Sequence, residues 1–258
     1  MKRIASRDNP AFKALARLVA SAAERRRRNT SVIEGPNLIS GCLDAGHAVE
    51  QLVFSDAFAD TPEAEVLLAR QPDVTVVRLT ETLFARLSGL ATPSGALAVV
   101  PTPEGRPVPP SARFCLALED VQDPGNVGTL LRAAAAAGVE HVLLSPGCSF
   151  AWAPKVLRAA QGAHFALNVV EGCDLAAFLH RFSGVSVALS GAAPESLYDV
   201  DLRGPLALVV GNEGQGLSVQ LQGLATRRAR IPMPGRVESL NAAVAGAVAL
   251  FEAVRQRC

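Results

Sequence analysis

The sequence predicts an α/β protein of two domains, and three observations carry that expectation. Short β-branched and apolar runs alternate with segments of helical spacing along the whole 258-residue chain. Five prolines between Pro101 and Pro110 interrupt the alternation; that density suits neither a helix nor a central strand and marks a linker. Beyond it, Leu206–Val210 is apolar throughout, as in a parallel sheet covered on both faces. With 49% hydrophobic and 19% charged residues, the chain can build packed cores and is too apolar for disorder.

Taken in order, residues 10–28 read as one helix, with Phe12, Leu15, Leu18 and Val19 on one face. A strand at 31–34 follows, then Gly35-Pro36 opens a helix to about residue 45. Strands at 49–55, 74–78 and 95–100 alternate with helices at 62–70 and 81–87. Residues 1–100 thus form a small α/β domain, 101–111 the linker and 112–258 the second domain. In the latter, strands are expected at 114–118, 141–145, 165–170, 185–190, 206–210 and 228–231. Helices are expected at 127–137, 154–161, 174–182 and, closing the chain, 238–257.

Charge is unevenly spread. Residues 1–28 hold nine Lys and Arg against Asp8 and Glu24, giving +7, while the remainder carries −6. Such an arm suits a polyanion, since phosphate neutralisation drives nucleic-acid affinity. A solvated helix end with its cations on the negative pole of the dipole explains Arg25–Arg28 equally well. Cys42, Cys115, Cys148, Cys173 and Cys258 form no C-x-x-C pair and the four histidines are dispersed, so no disulfide framework and no metal site is expected. No apolar run approaches the ~20 residues of a membrane span, and no secretory h-region follows the basic start, so no membrane role and a cytoplasmic location are expected.

Three segments at strand ends break the rules of regular structure, where open α/β sheets bind ligands. In the first, Asp123-Pro-Gly-Asn126 forces a turn and Asn126 is the expected N-cap of a helix carrying Thr129 and Arg132 on one face. An arginine there suits a phosphate, or simply a surface salt bridge. The second, Gly211-Asn-Glu213-Gly-Gln-Gly216-Leu217, follows a buried strand. Its glycine spacing fits neither a dinucleotide fingerprint nor a Walker loop; it allows close approach to a ligand, or only a tight connection. In the third, Ile231-Pro-Met233-Pro-Gly precedes Ser239-Leu240-Asn241, and Ser239 or Asn241 starts the last helix. There Leu240, Val244, Val248, Phe251 and Val254 make an apolar stripe expected to pack in the core.

Together these segments resemble, in order and spacing, the three motifs of the SpoU (TrmH) branch of the SPOUT RNA methyltransferases. Asp123-Pro-Gly-Asn126-x-Gly-x-x-x-Arg132 is similar to the first motif, Gly211–Leu217 to the second and Ile231–Asn241 to the third. Pro154–Ala163 resembles a further stretch of the family, with Ala160 where serine is common. Ser6–Pro10 and Val32–Gly35 resemble the family's small L30e-like substrate-binding domain.

The resemblance implies a trefoil-knotted C-terminal domain that dimerises and an S-adenosyl-L-methionine-dependent transfer of methyl to a ribose 2′-hydroxyl. Structured RNA is the implied partner, ribosomal more than transfer RNA, since a basic domain on a linker looks like an added RNA reader. The methyl donor is implied to lie against Leu189, Gly211, Leu217, Ile231, Met233 and Leu240. Arg132, Asn126, Glu213, Ser239 and Asn241 are the implied catalytic set. The family role for an arginine matching Arg132 is activation of the hydroxyl; by ordinary acidities it clamps a phosphate while the proton goes to phosphate or water, with Glu213 the carboxylate alternative. The competing readings are a transfer-RNA methyltransferase and a non-catalytic RNA-binding protein.

Overall fold

The computed structural model describes all residues from Met1 to Cys258 and holds two compact units. The first comprises residues 1–103 with 152–165, the second residues 104–151 with 166–258. In chain order the first unit contains β1 (Lys2–Ile4), α1 (Pro10–Ala20), α2 (Ala22–Arg28), β2 (Thr30–Glu34), α3 (Pro36–Asp44), β3 (Gln51–Ser55), α4 (Pro62–Arg70), β4 (Thr75–Leu79), α5 (Glu81–Leu87) and β5 (Ala96–Pro101). The second begins with β6 (Phe114–Leu118), α6 (Pro124–Ala136) and β7 (His141–Leu144). The helix α7 (Pro154–Ala160) returns to the first unit, where it packs against β2. Then come β8 (Asn168–Val170), α8 (Leu175–Arg181), β9 (Val185–Leu189), β10 (Glu195–Ser196), β11 (Leu206–Val210), α9 (Val219–Leu224), β12 (Arg227–Arg230) and α10 (Ala242–Arg257).

In the first unit the five strands run in the order β1-β4-β3-β5-β2, with β5 antiparallel to both neighbours. The expected helix at 10–28 is two helices. Ser21 takes an extended conformation, ends α1 and caps α2 by accepting from the Glu24 N–H through its hydroxyl at 3.2 Å. A serine competes for backbone hydrogen bonds and so favours a cap over a helix interior, a preference that apolar spacing alone does not register. Leu15, Leu18, Val53, Val77, Phe84 and Val99 share one apolar core.

The second unit is a seven-stranded, all-parallel sheet in the order β10-β12-β9-β11-β6-β7-β8. Because side chains alternate along a strand, Cys115, Ala117, Ala207 and Val209 pack into one core with α8 and α9. On the other face Gly246 of α10 meets Leu130 of α6 and Val210 of β11; a Cβ on Gly246 would lie 2.3 Å from a Leu130 methyl, so the absent side chain sets how closely these helices approach. Residues 104–111 lie against this unit: Arg106 and Asn168 exchange two hydrogen bonds, at 2.8 and 2.9 Å, and the Ser183 hydroxyl donates to the Pro110 carbonyl at 2.8 Å.

Three further expectations are corrected. The strand expected at 165–170 is confined to β8, because residues 163–166 form a 3₁₀ turn that buries His164. The closing helix begins at Ala242, since Pro232 and Pro234 hold the preceding segment irregular and Asn241 caps the helix. The apolar stripe of that helix is not core. α10 buries Ala243, Gly246, Ala249, Leu250 and Ala253, while Val244 and Phe251 are each 49% exposed. Small residues face inward because the helix lies close on α6, which turns the bulky face outward. β1, β10 and α9 also form beyond the expected elements.

Candidate functional site

The carboxyl ends of β6, β11 and β12 carry the three irregular segments, and β9, which lies between β12 and β11, ends beside them at Leu189. After β6 the chain enters Asp120 with φ of 53°, a left-handed conformation that turns the backbone sharply. The Ser145 hydroxyl at the end of β7 donates to the Asp120 carboxylate at 2.5 Å, and the Asp120 carbonyl accepts from Asn212 Nδ2 at 2.8 Å. Glu119 accepts from the Ser218 N–H at 2.7 Å. The loop after β6 is thereby tied to the loop after β11.

The N-cap of α6 is Asp123, which accepts from the Asn126 N–H at 2.9 Å, with Pro124 in the first turn. Asn126 was the expected cap; an aspartate directly before proline takes the position, since Pro suits the first helical residue and its missing N–H costs nothing there. The Asn126 side chain is consequently free for other work. Its Nδ2 donates to Glu213 Oε1 at 2.9 Å, and its Oδ1 accepts from Asn241 Nδ2 at 2.9 Å. Asn241 Oδ1 in turn caps α10 by accepting from Ala243 and Val244. One asparagine therefore joins all three irregular segments.

Glu213 also accepts from the N–H groups of Gln122 and Asp123, at 3.3 and 3.2 Å. Burial is the largest single influence on its carboxyl and raises the pKa, but the Asn126 and backbone hydrogen bonds together outweigh it and leave the value below the ordinary one. The group is an ionised anchor. In the same loop Asn212 accepts from Gly214 and Gln215 and exchanges backbone hydrogen bonds with Gly216. The turn is so tight that a Cβ on Gly211 would lie 2.4 Å from the Gly216 carbonyl carbon.

These loops enclose a cavity of about 220 Å³. All six residues expected to hold a ligand line it: Leu189, Gly211, Leu217, Ile231, Met233 and Leu240. Of the five expected polar residues, Glu213 and Ser239 line it, while Asn126 and Asn241 stand behind Glu213 through the hydrogen bonds above. Arg132 does not line the cavity. It is exposed on α6, unpaired, six residues beyond Asn126, or about 9 Å along the helix at 1.5 Å per residue. Glu119, Asp120 and Asn212, which anchor the site, and Glu238, which lines it, were not among the expected site residues; the clue to the first two was a pair of acidic residues directly after an apolar strand.

The lining includes two carboxylates, Glu213 and Glu238, and no Lys, Arg or His. Such a cavity favours a ligand with cationic character and an apolar body and disfavours one with phosphates, which argues against a nicotinamide or other nucleotide cofactor. S-adenosylmethionine has that chemistry: on an adenosyl body its sulfonium and ammonium outnumber its one carboxylate, for a net charge of +1. No group of three or more His, Cys, Asp or Glu is placed to hold a metal ion, and no helix is long and apolar enough to cross a membrane.

A parallel α/β sheet with a cavity at its strand ends, beside loops joined through Asn126, is the arrangement of a ligand-binding α/β domain. Residues 113–251 match the SpoU rRNA methylase family and residues 9–98 the MRM3-like substrate-binding domain. The chain belongs to the SpoU family, whose members are S-adenosylmethionine-dependent RNA ribose-2′-O-methyltransferases. It is 32% identical to the 23S rRNA (guanosine(2553)-2′-O)-methyltransferase RlmP of Bacillus subtilis, over 97% of this chain and 98% of that protein. It is 46% identical to the 23S rRNA (guanosine-2′-O-)-methyltransferase RlmB of Xylella fastidiosa, over 55% of this chain and 58% of the relative. The AdoMet-bound rRNA methyltransferase of Sinorhizobium meliloti superposes with a TM-score of 0.89 at 29% identity, covering 100% of this chain and 98% of that one.

Proposed function

We propose that this protein methylates the 2′-hydroxyl of a ribose in ribosomal RNA with S-adenosylmethionine held in the cavity at the strand ends. The observation that carries the reading is the joint Asn241–Asn126–Glu213, which ties the three motif segments together beside a cavity whose only charged lining groups are carboxylates. When bound, the donor supplies a methyl group already activated on a sulfonium. Gly211, Ile231 and Leu240 would hold it through backbone groups, with Leu189, Leu217 and Met233 as apolar neighbours.

The chain's own task is then to position a hydroxyl and remove its proton. Arg132, exposed and unpaired, is assigned as the clamp for an RNA phosphate, its planar fork matching two phosphate oxygens. A guanidinium with a pKa above ~12 is a poor base. Glu213 is engaged by three donors and depressed in pKa, so it is assigned to positioning, and the proton passes to water or a phosphate oxygen. Ser239 supplies a hydroxyl on the cavity wall, and Asn126 and Asn241 keep the loops in register.

Residues 1–100 are read as an L30e-like RNA reader, 101–111 as the connecting segment and 112–258 as a trefoil-knotted methyltransferase domain acting in the cytoplasm, with the segment 152–165 folded into the first unit; the family matches at 9–98 and 113–251 support this reading. The outward apolar face of α10, with Val244 and Phe251, fits a homodimer interface formed by the second unit. The cofactor assignment is tested by calorimetry: S-adenosylmethionine should bind to the metal-free protein while NAD does not. Tight NAD binding, or donor binding that requires a divalent cation, would reject it.

A further inference from the structure

We propose that a second cavity, lying wholly in the first unit, is a binding site for a phosphate group of the RNA backbone; the identity of the polyanion rests on the rRNA reading above. Arg25 of α2 is only 5% exposed. Its Nη1 donates to the carbonyls of Leu18 and Val19 at 2.6 and 2.8 Å, while its buried Nε has no partner. No carboxylate neutralises it, because the adjacent Glu24 pairs with Arg27 and Arg28, each at 2.7 Å. A buried cation without a counter-ion is costly, so its retention calls for an explanation.

Arg25 lines a cavity of about 290 Å³ whose walls include Val32 and Leu97. Lys155 and Arg158 of α7 border the same space, and neither is paired with a carboxylate. The guanidinium of Arg158 rests where Gly89 has no side chain; a Cβ there would lie 2.7 Å from its Nη1. Glu34 is the one acid on the wall, and it is held by the Ser88 hydroxyl and, at 3.3 Å, by the Gly89 N–H. Three cations against one carboxylate leave an excess of +2 around this space. A phosphate supplies the missing negative charge, and its oxygens accept from the side-chain ends of Lys155 and Arg158. Arg25 also lies in the segment with the +7 excess, whose field draws a polyanion rather than a lone ion.

The test uses the full chain with Lys155 and Arg158 both replaced by alanine, which leaves the Arg25 contacts to α1 in place. Binding of deproteinised 23S rRNA should weaken about tenfold. The slope of log affinity against log salt should fall by roughly 0.7–0.9 for each RNA phosphate that the variant no longer neutralises. Turnover at saturating RNA and donor affinity should stay at wild-type values, so the loss appears in KM, and Arg158→Lys alone should keep the wild-type slope. In a parallel arm, inorganic phosphate at millimolar concentration should shift the Arg25 Nε–H resonance of the wild type, and the rRNA should do so at far lower concentration. Wild-type RNA affinity and slope in the double variant overturn the proposal, leaving the methyltransferase reading intact. A resonance that responds to inorganic phosphate with no change in RNA binding by the double variant assigns the cavity to a small anion and overturns it too. A wild-type protein that does not bind rRNA overturns both readings.

Discussion

Replacing Asn126 by alanine tests whether one side chain holds the three loops together. The substitution removes the bond to Glu213 and the bond from Asn241, both 2.9 Å. Each is worth about 0.5–1.5 kcal/mol net, so their joint loss is about 1–3 kcal/mol. Glu213 and Asn241 are both exposed and water can reach the groups left behind, so no large desolvation penalty is added. If that energy orients the reacting groups, single-turnover methyl transfer should fall about 5- to 150-fold. Donor affinity, measured by calorimetry, should fall less, since Asn126 does not line the cavity. Asn241→Ala breaks one of the same bonds, so the double variant should lose less than the two single losses combined. Transfer within twofold of wild type, or strict additivity in the cycle, would refute the idea of a shared joint.

Arg132→Ala should lower turnover at least about 100-fold, or ~2.7 kcal/mol, with donor affinity near normal; lost donor binding would move Arg132 to the cofactor side. Gly211→Ala should abolish donor binding in calorimetry, because its Cβ would meet Gly216 backbone that cannot yield without reshaping the cavity. For Glu213 the folded pKa is depressed below the ordinary 4.5, so its ordering contribution is complete above that value and is lost as pH falls through the folded one. The pH–rate profile should accordingly show no inflection from this group between pH 6 and 8. Glu213→Gln, which keeps one acceptor oxygen, should cost about tenfold in turnover, whereas loss of a general base would cost up to ~10⁴-fold. Val244→Asp with Phe251→Asp should give a monomer in light scattering, since both sit on the outward face of α10; an unchanged dimer would place the interface elsewhere.

Much of this architecture was legible in the residues. Apolar runs located β6 and β11 to the residue, and breaks in periodicity located all three loops. The misreadings share a cause: local pattern does not report which partner a polar or apolar group will meet. Asn126 is as good a cap as Asp123 by residue type, and only the position of Pro124 relative to the turn decides between them. The α10 stripe reads as core because spacing reveals amphipathicity without saying which face the sheet receives, and Gly246 against Leu130 settles it for the small face. Arg25 reads as one of four solvated cations, yet the break at Ser21 folds it back beneath α1. The six apolar and glycine positions around the donor cavity came from motif resemblance, because no periodicity marks residues from three separate strand ends as neighbours.

The central claim is transfer of a methyl group to a ribose oxygen, and the most direct measurement follows the product. Deproteinised 23S rRNA is incubated with the protein and isotopically labelled S-adenosylmethionine, digested to nucleosides and analysed by mass spectrometry. The account requires the label on the sugar of a single 2′-O-methylnucleoside, absent from the Arg132→Ala reaction. Label on a base, or a wild-type reaction that leaves the RNA unlabelled while methylating transfer RNA, would contradict it.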